Sequence, residues 1–70
     1  MRYAIVIERA ENNLSAYVPD LPGYVATGAT IEEVETEMRE AIAFHLEGLR
    51  EDGLPIPVAS SRVDYLEVAA

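Results

Sequence analysis

Apolar positions follow two different rhythms along the chain. From Arg2 to Glu8 (RYAIVIE) they alternate, with Tyr3, Ile5 and Ile7 on one side and Ala4, Val6 and Glu8 on the other. A period of two in β-branched and aromatic residues predicts a first strand, largely buried. Ala10-Glu11-Asn12-Asn13 interrupts it as a polar turn, because Asn tolerates the left-handed backbone of a tight connection. Alternation resumes over Leu14–Val18, giving a hairpin. Pro19-Asp20-Leu21-Pro22-Gly23 ends the second strand, since neither proline can donate to a ladder. Tyr24–Thr27 predicts a third short strand, closed by Gly28.

The rhythm then becomes helical. Ile31, Val34, Met38, Ala41, Ile42, His45 and Leu49 fall on one stripe at 100° per residue. Thr30-Ile31-Glu32-Glu33 has the form of a capping box, with Thr30 as cap and Glu33 reaching back to the Thr30 N–H. Gly53, Leu54 and Pro55 form a stop signal. The spacing therefore predicts a helix from about Ile31 to about Asp52. Gly48 within it costs ~1 kcal/mol relative to Ala. Leu54–Pro57 reads as an extended connector and Ser61–Val68 as a final strand with mixed faces. The resulting fold class is α+β in the order β-β-β-α-β, an antiparallel-rich sheet with one long helix packed on one face. With no repeat and no long linker, residues 1–70 form a single domain.

Charge changes this picture. The 70 residues hold 13 acids against five Arg and no Lys, for a net charge of −8. Scattered arginines on an acidic chain argue against direct nucleic-acid binding, which needs clustered cations. An opposite field favours a basic partner instead. No apolar run is long enough for a membrane span, and no signal-peptide pattern opens the chain, so a cytoplasmic protein is expected. Residues 31–52 concentrate the charge, with eight acids and two arginines. Two readings stay open: a solvated helix face, or an acidic docking surface. Glu33/Glu37 and Glu47/Glu51 each place like charges four apart, costing a few tenths of a kcal/mol.

Catalytic chemistry finds little support. One His and no Cys exclude a Cys–His pair and a multi-His metal site. His45 reads as a semi-buried histidine with a backbone partner. Glu8, Glu33 or Glu37, and Asp64 are the carboxylates that could approach a metal, but their spacing matches no motif. No catalytic residue, metal or cofactor is therefore expected. One helix covers one face of a sheet, leaving the other face bare. Tyr17 on the sheet and Phe44, which projects away from the apolar stripe, are candidate contacts for a homo-oligomer (dimer or tetramer). Alternatively, the Leu54–Ile56 connector folds back over Phe44.

Ser15-Ala16-Tyr17-Val18-Pro19-Asp20-Leu21-Pro22-Gly23-Tyr24-Val25-Ala26-Thr27-Gly28 resembles the signature of HicB-type antitoxins. The match continues through Thr30–Val34, Glu40-Ala41-Ile42, His45–Leu49, Asp52-Gly53 and Pro55-Ile56-Pro57. The resemblance implies a partial RNase H-like fold and the antitoxin role of a type II toxin–antitoxin pair. Its partner would be a HicA-type toxin, a small basic ribonuclease that cleaves messenger RNA, bound and occluded by the antitoxin. Asp20, Tyr24, Glu32, Glu33 and Glu37 are the candidate partner-binding residues. Many members carry a further C-terminal DNA-binding domain; this sequence stops after the last expected strand, so autorepression by it is not expected. A cysteine is common in the family where Tyr24 stands. Two rival functions are an orphan homo-oligomeric regulatory or scaffold domain and a metal-dependent nuclease remnant.

Overall fold

The computed structural model describes residues 1–69. Strands β1 (Val6–Arg9) and β2 (Leu14–Tyr17) form an antiparallel hairpin, with Val6 opposite Tyr17 and Arg9 opposite Leu14. The polar run at 10–13 makes the turn, closed by the Ala10 N–H donating to the Asn13 carbonyl at 2.8 Å. Strand β3 (Val25–Gly28) pairs antiparallel with the other edge of β2, giving the sheet order β1-β2-β3. Between β2 and β3 the chain reverses over Leu21–Tyr24, where the Tyr24 N–H donates to the Leu21 carbonyl at 3.3 Å. Pro22 suits the second position of that turn, and Gly23, at φ +88°, takes the left-handed third. The reversal drives the Leu21 side chain into the core.

Helix α1 (Ile31–Glu51) starts as the capping residues require. Thr30 Oγ1 accepts from the Glu33 N–H at 3.1 Å, and Glu33 Oε2 accepts from the Ala29 N–H at 2.7 Å. The box thus closes one residue earlier than the Thr30 N–H expected of it, and still ties two otherwise free donors. At the far end the Leu54 N–H donates to the Leu49 carbonyl at 2.9 Å and the Gly53 N–H to the Arg50 carbonyl at 3.1 Å. Gly53 sits at φ +67°. This is a Schellman motif, and only a residue without a side chain enters that backbone region without penalty.

The core lies between the sheet and the first half of α1, and comprises Ala16, Val18, Leu21, Ala26, Val34 and Met38. Ala16 and Ala26 stand opposite one another in register, so small side chains meet the helix where it crosses β2 and β3. Tyr3, Ile5 and Ile7 pack against the same cluster, as their alternation predicts. Gly28 marks the closest approach of β3 to α1. A Cβ there would stand 3.1 Å from both Glu33 Cβ and Val34 Cγ2. The fold class is α+β: three antiparallel strands, then one long helix on one face.

Four details differ from the sequence reading. The β1–β2 ladder begins at Val6 rather than Arg2, because continuing the register would set Pro19, which has no N–H, across from Ala4. Ile31 is exposed beside the β1–β2 turn, because α1 starts beyond the end of the sheet. The connector does not cover Phe44, which is 80% exposed. The Schellman turn instead carries the chain toward the first segment, where the Tyr3 hydroxyl donates to the Pro57 carbonyl at 2.6 Å. Finally, Ser61–Val68 forms no strand with any of the described residues. No hydrogen bond among the described residues ties it to the sheet beyond Ser61, so the fourth strand of the expected order lacks a ladder partner.

Candidate functional site

Helical geometry sets Glu33, Glu37, Glu40, Phe44, Glu47 and Glu51 in one line. Steps of four and three residues keep them within about 40° of a common direction. All six are exposed. The line runs the length of α1, opposite the face that carries Val34, Met38, Ile42, His45 and Leu49. Five carboxylates thus flank a single aromatic ring. At the helix start, Glu32, Glu33 and Glu37 share the rim of a shallow depression of about 590 Å³ with Thr27 and Thr36. Three of the candidate partner-binding residues are therefore brought together. The acidic line was legible in the sequence as the spacing 4-3-4-3-4, but apolar periodicity alone does not find it.

Asp20 and Tyr24 lie elsewhere. The Asp20 carboxylate clasps the connector. Its Oδ2 accepts from the Ser61 N–H at 2.9 Å, and its Oδ1 accepts from the Ser61 hydroxyl at 2.7 Å and the Ser60 hydroxyl at 3.3 Å. Bonds of this kind favour the ionised form, so its pKa falls below the usual 3.8, chiefly through the Ser61 N–H and then the Ser61 hydroxyl. The Tyr24 hydroxyl lies 2.6 Å from His45 Nδ1, with the two rings tilted at 46° and 4.5 Å apart. His45 is half-buried, as expected, but its partner is this side chain rather than the backbone. The contact joins β3's approach to the middle of α1.

Tyr17 occupies the bare side of the sheet. It stands in register between Val6 on β1 and Val25 on β3, so one apolar row crosses all three strands. The next row, Glu8–Ser15–Thr27, is polar. Tyr17 and Phe44, both read as self-association contacts, are thus on different surfaces. Among the described residues no three His, Asp or Glu side chains converge as a metal site, and no helix is long and apolar enough to cross a membrane.

Fold and surface together define a small α+β domain whose exposed chemistry is a carboxylate-lined helix and an open sheet face. The chain belongs to the HicB-like antitoxin family of bacterial toxin–antitoxin systems, whose family model matches residues 3–69. An uncharacterized 14.9 kDa protein from the rep-hol intergenic region of Haemophilus phage HP1 is 36% identical over 66 residues, covering 94% of this chain and 50% of the phage protein. A UPF0150 protein of Helicobacter pylori strain J99 is 43% identical over 49 residues, covering 70% of this chain and 68% of that protein. The chain thus spans half the length of the phage relative. No solved structure matches.

Proposed function

We propose that this chain is the antitoxin that covers a small basic HicA-type ribonuclease toxin in the cytoplasm, acting by occlusion and not by chemistry of its own. The observation that carries this reading is the acidic line of α1 with Phe44 at its centre. Family membership supports a toxin partner in general, and the line supplies the two features such a partner needs. Carboxylates raise the association rate toward a cationic surface by roughly 10- to 1,000-fold at low salt. An exposed aromatic at the centre of the patch gives the contact an anchor that can be desolvated. Repulsion between Glu33 and Glu37 and between Glu47 and Glu51 is relieved when cations arrive. A toxin whose RNA-binding cations are held against this face cannot engage messenger RNA.

Charge also gives Phe44 a different role from the self-association contact expected of it. Two copies meeting at this residue would face five carboxylates with five more. Phe44 therefore serves the toxin contact. Tyr17, on the uncharged row of the sheet, remains the residue for contact between copies. Glu33 and Glu37 form the end of the docking line at the helix start, and Glu32 flanks them on the rim of the same depression. Asp20 and Tyr24 act from behind it, one fixing the connector and the other fixing the helix against β3.

Co-expression with a small basic HicA-type toxin tests the reading. The expected result is a co-purifying complex and relief of growth arrest. Phe44→Ala should raise Kd by roughly 10- to 30-fold. The double reversal Glu37→Lys/Glu40→Lys should slow association and flatten its salt dependence. Persistent arrest with no complex would overturn the function. A complex indifferent to both variants would overturn the surface.

A further inference from the structure

Strand β3 ends the sheet, and nothing closes that end. In the order β1-β2-β3 it pairs on one side only, so every second residue of Val25–Gly28 turns its backbone N–H and C=O away from β2. No backbone hydrogen bond among the described residues satisfies those outward groups. Sheet edges are ordinarily protected by a proline, a charged side chain or a bulge. Val25-Ala26-Thr27-Gly28 contains no proline and no charge, and its register with β2 runs unbroken from Tyr17 to Leu14. Val25 is 67% exposed.

The surface above this edge is negative. Helix α1 follows β3 after two residues, Ala29 and Thr30, and lies against it closely at Gly28. On the inner side the space between helix and sheet is filled by Ala16, Ala26 and Val34. The depression at the helix start therefore opens along the outer side of β3, with Thr27 and Gly28 from the strand and Glu32, Glu33 and Glu37 from the helix. The opposite edge of the sheet carries the other sign. The groove beside β1 is lined by Arg2 and Arg39 with one Glu35. A cationic segment approaching the sheet is repelled at β1 and attracted at β3.

We propose that the β3 edge accepts a strand from the basic partner and extends the sheet by one. The proposal rests on the toxin reading and adds a mode of contact to it, main-chain hydrogen bonding along β3 beside the charge attraction of α1. Side chains of an added strand alternate between the two faces of the sheet. On the helix side they meet Glu33 and Glu37, which calls for lysine or arginine. On the bare side they continue the row Val6–Tyr17–Val25, which calls for β-branched or aromatic residues. The occupant is a strand of alternating cationic and apolar residues. No segment of this chain has that pattern, since it lacks Lys and its five arginines are scattered, so the strand comes from another protein. Phe44 stands roughly 16 Å beyond Glu33 along α1, so one small partner reaches both.

An eight-residue peptide alternating lysine and valine, titrated into the isotope-labelled 70-residue chain, tests the edge directly. Amide resonances of Val25–Gly28 should shift, and the outward-facing amides among them should become protected from hydrogen exchange. The same peptide methylated on every backbone nitrogen keeps its charge but donates no hydrogen bond, and should bind at least roughly tenfold more weakly. A peptide with glutamine in place of lysine should also lose roughly tenfold at low salt. Shifts confined to α1, protection at Val6–Arg9 instead, or equal affinity for all three peptides would each overturn the proposal. A complex with a HicA-type toxin separates it from the reading beneath it. The same β3 amides should be protected in that complex. A complex in which they exchange as in the free chain overturns the added strand and leaves the toxin reading standing. Absence of any complex overturns the toxin reading and, with it, the partner named for this edge.

Discussion

The two halves of α1 obey the same hydrophobic period and reach different ends. In the first half, Val34 and Met38 are closed off completely, Met38 at 1% exposure, because β2 and β3 lie directly beneath them. In the second half, Ile42, His45 and Leu49 occupy the same stripe and are only half-buried. The sheet is the reason. Its strands are four residues each, while the helix has 21, so the later turns overhang the sheet and rest on Tyr24, the connector and open groove. Periodicity sets the direction of a side chain, and the extent of the opposing layer sets how much water it loses. A helix that outruns its own sheet has surface to offer to others.

Substitutions at the two ends test that contrast. Met38→Ala, at the sealed end, should destabilise the fold by about 3 kcal/mol, read as a fall in the midpoint of urea unfolding. In a domain this small, that is enough to unfold much of the population. Ile42→Ala, one turn on, should cost about half as much, since less is lost where water already reaches. Equal costs at the two positions would show that the overhanging half is sealed after all. Gly28→Ala should cost about 2 kcal/mol, because the new Cβ meets Glu33 and Val34 at 3.1 Å and must push the helix start from β3. Gly48→Ala should have the opposite sign. Nothing lies within 4 Å of an added Cβ there, so the gain in helix propensity of up to ~1 kcal/mol is unopposed. A loss at Gly48 would reveal a close contact in solution.

Acid gives the smallest effect. Asp20 titrates below 3.8 in the folded chain. Its hold on Ser60 and Ser61 is therefore whole above that value and is lost as pH falls through the lowered pKa. The Ser61 amide resonance should shift with a midpoint under 3.8 in the parent and not in Asp20→Asn, while the amides of the first half of α1 stay in place. Simultaneous loss of both would mean that the clasp and the core are one cooperative unit.

Much of the fold was legible locally. The hairpin turn at 10–13, the prolines at 19 and 22, the Thr30–Glu33 cap and the Gly53 stop each act through backbone preferences within a few residues, and each lies where sequence reading put it. The candidate site was legible in part. Glu32, Glu33 and Glu37 come together because one helix carries them at fixed spacing. Asp20 and Tyr24 could not be read in the same way, since their partners Ser61 and His45 lie 41 and 21 residues away.

Local residue preferences settled the order of the three strands and the helix, the ends of that helix and the line of carboxylates around Phe44, because periodicity and capping are properties of neighbours. Long-range packing set the rest: that Phe44 stays bare, that Tyr24 meets His45, and that Val63–Val68 joins no strand among the described residues. Those outcomes depend on how far one layer extends over another and where the connector is fastened, and no local residue preference carries that information.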